Sequence, residues 1–245
     1  MSSAADPAGR LIRHERAIVA GGVALLAALA WLFLLRGAGM PDAMSMSAMG
    51  SPPFAALVFM WWVMMVAMML PSAAPAILLY ARVRDARSGE ASVAQSWVFV
   101  AGYALLWLLF SVAAAATQRL IMGSAMGMEA ERYMAAVLIA AGAYQLSPLK
   151  SACLSQCRSP AQFLSRHWRP GVAGAIRLGL LHGGYCVGCC WALMALLFVG
   201  GVMNIGWIVL LTMIVAVEKL APGGAWIGRA AGVALIAWGG ALLLA

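Results

Sequence analysis

Seven apolar stretches, separated by short polar ones, run through this chain at roughly 17 to 35, 55 to 80, 96 to 118, 133 to 147, 173 to 199, 203 to 220 and 226 to 244. A hydrocarbon core about 30 Å thick takes roughly 20 apolar residues per helical span. Inside lipid, a helix satisfies its own backbone. The stretches therefore predict an all-α fold, a polytopic transmembrane bundle of about seven helices, with the fourth short and the fifth long. We expect one helical membrane domain over residues 17–245, a tail at 1–16, and a loop at 149–172 as the longest segment outside the spans. The first stretch follows Arg10, Arg13 and Arg16 as the core of a signal peptide would. It is long for that purpose and no small-x-small cleavage site follows, so it reads as an uncleaved span. No internal repeat is convincing.

Composition agrees: 64% of the 245 residues are hydrophobic, 10% are charged, and the mean hydropathy is +0.93. A net charge of +8 would suggest nucleic acid for a soluble protein. Here the arginines sit in short segments between apolar runs, where they orient the chain, and a nucleic-acid partner is not expected. With a cytoplasmic N-terminus, all of the 16 Lys and Arg except Arg36, Arg119 and Arg132 fall in or beside cytoplasmic segments. Shifting the helix count by one would scramble that asymmetry. The expected location is the bacterial inner membrane.

The chemistry concentrates in LHGGYCVGCCW, residues 181 to 191. With His182 as zero on a helical wheel, Cys186 falls at about 40°, Cys189 at about −20° and Cys190 at about 80°. All four share one face. Counted from Val172 at about 1.5 Å per residue, Cys186 lies near the bilayer centre, where polar groups by default mark a functional site facing the bundle interior. Free cysteines pack well as small hydrophobes, which explains one of them better than three beside a histidine. Thiolate and imidazole are donors for copper(I), zinc or iron, and this spacing lets them converge on one ion.

A second pair, Cys153 and Cys157, lies in the expected cytoplasmic loop, flanked by Lys150 and Arg158, whose charges favour thiolate. A reducing cytoplasm argues against a structural disulfide there. The chain also has 17 methionines. Met60, Met64 and Met68 share a helical face with Pro71 and Pro75, whose missing N–H groups open backbone oxygens to the interior. Stripes of this kind are usually core filler. Met40, Met44, Met46 and Met49, with Met122, Met126 and Met128, fall in two exposed outer loops where packing gains nothing; thioethers there suit copper(I). Glu218 and Lys219 close the sixth span and read first as an interfacial pair that snorkels, second as charge compensators for the site.

The ordered set WWVMMVAMMLPS, YQLSPLKSACLSQCRSP, GYCVGCCWALM, GVMN and EKLAPGG resembles an uncharacterised prokaryotic family of predicted metal-binding integral membrane proteins, over about Met60 to Gly224. The resemblance implies a multi-helix membrane protein that binds metal. The residues make copper(I) the favoured ion. In this reading Met60, Met64 and Met68 receive it, His182, Cys186, Cys189 and Cys190 hold it, and Cys153 with Cys157 accept it on the cytoplasmic side. Partners are the metal ion, membrane lipid, and a metallochaperone or a larger membrane complex. No ATP-binding loop or other catalytic motif is visible. The alternatives are a membrane thiol-disulfide oxidoreductase and a structural or assembly subunit, the latter supported by 26 glycines that favour close helix packing.

Reporter fusions test the orientation. Alkaline phosphatase is expected to be inactive when fused after Arg158 and active at Ala245; the reverse pattern would overturn the topology.

Overall fold

The computed structural model describes residues 7–37, 52–88, 93–123 and 130–244. Each of the seven apolar stretches forms a helix. Helix α1 covers Pro7–Gly37, α2 Phe54–Ser88, α3 Val93–Gly123 and α4 Ala130–Gln145. Two short helices follow, α5 at Pro148–Arg158 and α6 at Pro160–His167, and then α7 at Gly171–Ala195 with a one-turn extension, α8, at Leu197–Gly200. The chain closes with α9, Ile205–Leu220, and α10, Gly224–Leu244. Among the described residues there are no strands.

The 149–172 segment is not the loop expected from the sequence. It is mostly helical because it carries its own start signals: Ser147 caps α5 by accepting a hydrogen bond from Lys150 N at 3.2 Å, and Pro148 and Pro160 open the two helices. The helical N-terminal element likewise reaches back to Pro7, into the stretch assigned to a tail.

Among the described residues, five helical segments are long and apolar enough to cross a membrane: Glu15–Gly37, Phe54–Asp85, Val93–Ile121, Gly171–Gly200 and Gly224–Leu244. Helices α4 and α9 have 16 residues each, about 24 Å of rise, less than the hydrocarbon core. Large apolar side chains lie on the outer surface, with Leu25, Phe59, Leu109 and Trp226 each more than half exposed, which is compatible with a lipid environment.

Helices α1, α2 and α3 run alternately up and down. Glu15 of α1 meets Arg84 of α2 at 3.4 Å, and Trp31 Nε1 donates to Ala67 O at 3.0 Å. That carbonyl is free because Pro71, four residues on, has no N–H to bond it. The prolines thus release a backbone oxygen as expected, but Pro71 and Pro75 themselves are exposed, and the oxygen is taken by α1. Helix α7 packs lengthwise on α3, with Gly179 against the Phe99 carbonyl; a Cβ on Gly179 would stand 2.1 Å from that oxygen. Helix α10 packs antiparallel on α4, where Gly142 faces Gly232 and Gly239 faces Ala135, and antiparallel on α9, where Glu218 faces Gly228 and Trp207 meets Trp238. Gly223, at φ 78°, makes the turn between α9 and α10.

The α3–α7 contact yields a prediction. Gly179→Ala forces two helix backbones apart and should cost about 1–3 kcal/mol, read as a lowered midpoint in thermal unfolding of the detergent-solubilised protein. An unchanged midpoint would show that the helices do not approach this closely.

Candidate metal centre

Helix α7 presents His182, Cys186, Cys189 and Cys190 on a single buried face, as their helical spacing requires. Cys189 Sγ and Cys190 Sγ both donate to the Cys186 carbonyl, at 3.1 and 2.8 Å. Cys190 Sγ also lies 3.7 Å from Met69 Sδ of α2. Cys186 Sγ accepts from Lys219 Nζ of α9 at 2.9 Å and sits 3.0 Å from the Tyr103 hydroxyl of α3. Tyr103 in turn donates to the Met69 carbonyl at 3.2 Å. The other Lys219 contacts are Ser72 Oγ at 3.3 Å and Met69 Sδ at 3.9 Å, so its three N–H donors are all directed into the cluster.

His182 is set apart from the sulfurs. Its ring lies among Phe99, Tyr103 and Phe163, with centroids 6.0, 5.8 and 5.2 Å away. Its Nδ1 is buried with no hydrogen-bond partner.

Helix α5 brings the other two cysteines to the same place, which the sequence had put on a separate cytoplasmic surface. Cys157 Sγ stands 3.9 Å from Cys189 Sγ. Cys153 lies against Gly188, where a Cβ would be 2.8 Å from its sulfur; the absent side chain is what lets α5 approach. Tyr144 at the end of α4 donates to the Gly188 carbonyl at 2.5 Å.

Lys150 and Arg158 do not raise thiolate character as expected. Lys150 Nζ pairs with Glu218 Oε2 at 2.6 Å and also bonds Gln145 Oε1, while Arg158 donates to the carbonyls of Glu218 and Ala221 at 2.5 and 3.0 Å. Burial, then the neighbouring Cys189, pushes the Cys153 thiol upward. Hydrogen bonding with Cys186 and Cys189, then burial, pushes Cys157 up further.

The methionine face is also corrected. Met64 and Met68 are buried in the core and Met60 is half-buried, but the thioether that meets the cysteines belongs to Met69, on a different side of α2. The outer-loop residues Met40, Met44, Met46, Met49, Met126 and Met128, and the side chain of Met122, lie outside the described residues. Glu218 and Lys219 do not snorkel as a pair. Both are buried and they part, Glu218 to Lys150 and Gln145, Lys219 to Cys186. Sequence reading missed Met69, Tyr103 and Gln145 altogether. Buried polar groups inside apolar stretches were the available signal for the last two.

Among the described residues, no group of three or more His, Cys, Asp and Glu side chains stands arranged to hold a metal ion. The donors meet in pairs instead. Two sulfurs each about 2.3 Å from one ion stand about 3.8 Å apart at a tetrahedral angle and about 4.6 Å apart when opposed. The Cys157–Cys189 separation of 3.9 Å falls inside that range, and the thiol–thioether pair of Cys190 and Met69 at 3.7 Å falls at its edge. Soft sulfur pairs without carboxylates suit copper(I), which accepts low coordination numbers, better than zinc or iron.

Replacing Gly188 by alanine tests the packing of α5. The new methyl should displace Cys153 and raise its labelling by maleimide severalfold, with Cys190 labelling unchanged. Equal labelling of Cys153 in both proteins would refute the contact.

Neither the curated proteins nor the solved structures contain a match to this chain. A family model does match, that of PpoB2, described as a copper chaperone, over residues 58–242. These 185 of the 245 residues take in every cysteine, Met69, Tyr103 and the whole of α3 to α9. The metal handling implied by the earlier resemblance is thereby upheld in its general form, and the chain belongs to the PpoB2 copper chaperone family.

Proposed function

We propose that this protein is an integral membrane copper(I) carrier of the bacterial inner membrane, which binds the ion in the buried sulfur cluster and passes it on by exchange between neighbouring sulfur ligands. The observation that carries this reading is the convergence of Cys157 from α5 and Cys189 from α7, with Sγ atoms 3.9 Å apart, in a family of copper chaperones. Cys157 and Cys189 are the first pair of ligands. Cys186, Cys190 and Met69 supply the sulfurs to which the ion moves, and Cys153 lies beside them on α5. Met60, Met64 and Met68 stand on another side of α2 from Met69, and in this reading they receive the ion before it reaches the cluster. His182, one turn from Cys186 on the same face of α7, is the nitrogen donor held in reserve beside the sulfurs.

Ligand exchange explains the crowding of donors. A copper(I) ion bound by two sulfurs leaves one only if another is already within reach. Lys219 serves the same end, because its ammonium, 2.9 Å from Cys186 Sγ, compensates negative charge on that sulfur when copper is absent, and charge buried without compensation is costly. With α4 and α9 counted as short spans beside the five long ones, the bundle has seven, and the arginine asymmetry sets the N-terminus in the cytoplasm.

The test is copper(I) titration of the anaerobically purified protein in detergent, in competition with a chromophoric copper(I) chelator. Cys157→Ser and Cys189→Ser are each expected to weaken binding about tenfold or more, that is by at least about 1.4 kcal/mol. If the double substitution leaves stoichiometry and affinity as they were, the cluster is not the copper site. Oxidoreductase chemistry would instead show as turnover of the thiols with no copper retained.

A further inference from the structure

Helix α5 carries two of the five cysteines but has little apolar surface with which to hold its place: of its eleven residues only Lys150 and Leu154 are buried. Its fixings are polar, and they meet at one residue of α9. Near the start of α5, Lys150 Nζ contacts Glu218 Oε2 at 2.6 Å. Gln145 completes this end, donating through Nε2 to Glu218 Oε1 at 2.8 Å while its Oε1 accepts from Lys150. At the end of α5, Arg158 Nη1 donates to the backbone carbonyl of Glu218 at 2.5 Å, and Nη2 to that of Ala221 at 3.0 Å. Cys153 and Cys157 lie between these two anchors. The Glu218 carboxylate is 2% exposed and backs onto Gly228, where a Cβ would be 2.8 Å from Oε1. It therefore has no room to swing away from α5.

We propose that Glu218 is a positioning residue for copper binding: its carboxylate and its carbonyl together clamp α5 so that Cys157 stands against Cys189, without touching the ion. The inference rests on the sulfur cluster being the copper site. Physical chemistry favours positioning over stabilisation as the role of this residue. Removing two charges from water offsets most of what they gain by attraction, so a buried ion pair contributes little net stability and is often replaced by apolar groups without loss. What such a pair supplies is direction. Two short hydrogen bonds to one carboxylate and two to the helix end beside it set both the rotation and the depth of α5. Groups that orient ligands in this way typically change metal affinity about 10–100-fold when removed.

The experiment uses the full chain in detergent, with Glu218→Gln and, because a lone buried lysine could prevent folding of that variant, also the paired Lys150→Met/Glu218→Leu. Position is read by diamide treatment, in which the reagent takes two electrons and two protons from Cys157 and Cys189 and leaves a disulfide quantified by peptide mass spectrometry. Affinity is read with copper(I) and the competing chelator. Each folded variant is expected to form the Cys157–Cys189 disulfide several times more slowly and to bind copper(I) about tenfold more weakly, with helix content by circular dichroism unchanged. In a Cys157→Ser background the same changes at 150 and 218 should cost no further affinity, since the ligand they position is gone. Unaltered disulfide formation in the folded paired variant overturns the clamp, and so does a further loss of affinity in the Cys157→Ser background. If the native protein retains no copper(I) while disulfide formation still depends on Glu218, the copper site is wrong and the clamp stands.

Discussion

A charge buried among apolar helices must be compensated within reach of its own side chain, and here that requirement falls on two neighbouring residues of one helix end. Glu218 and Lys219 follow each other on α9 and so project about 100° apart. The carboxylate turns to α4 and α5, where Gln145 and Lys150 donate to it, and backs onto Gly228 of α10. The ammonium turns to α2 and α7, where Ser72, Met69 and Cys186 receive it. Neither can be satisfied by the other, because the helix points them apart. The two halves of the sulfur cluster, on α5 and on α7, are thus tied to the same turn of α9.

That turn is where the backbone is interrupted. Helix α9 stops at Leu220, α4 stops at Gln145, and both α5 and α10 begin nearby. Each helix end leaves carbonyl or amide groups without intrahelical partners, and such groups need partners wherever the protein shields them from water. Arg158 covers the end of α9, Ser147 covers the start of α5, and the neighbouring helices enclose the rest. The two 16-residue helices are short for the same reason that the site exists: they end against it rather than running past.

In the proposed reading the donors suit a carrier better than a storage site. A rigid, fully ligated tetrahedral set would hold its ion tightly, whereas sulfurs that meet in pairs and are otherwise engaged by a lysine, a tyrosine and helix carbonyls leave any bound ion with partners to exchange to. The Tyr103 hydroxyl and Lys219 both bear on Cys186, which makes that sulfur the most heavily engaged of the cluster.

Much of this was legible in the residues alone. Apolar runs are a local property, and every one of the seven formed a helix; helical periodicity likewise placed His182 and the three cysteines of α7 on one buried face. Cys153 and Cys157 were picked out as chemistry, but their segment was read as a loop even though Ser147 with Pro148 and Ser159 with Pro160 announce helix starts. What could not be read was the meeting of α5 with α7, the choice of Met69 over the stripe of Met60, Met64 and Met68, and the parting of Glu218 from Lys219. Cys190 and Met69 are 121 positions apart and Lys219 and Met69 are 150 apart. Periodicity says which residues of one helix share a face and nothing about which neighbour that face will meet. In a chain where nearly every helix is apolar all round, burial discriminates too weakly between faces to supply that choice, and it falls to the few close backbone contacts and buried charges, which exist only once the helices have packed.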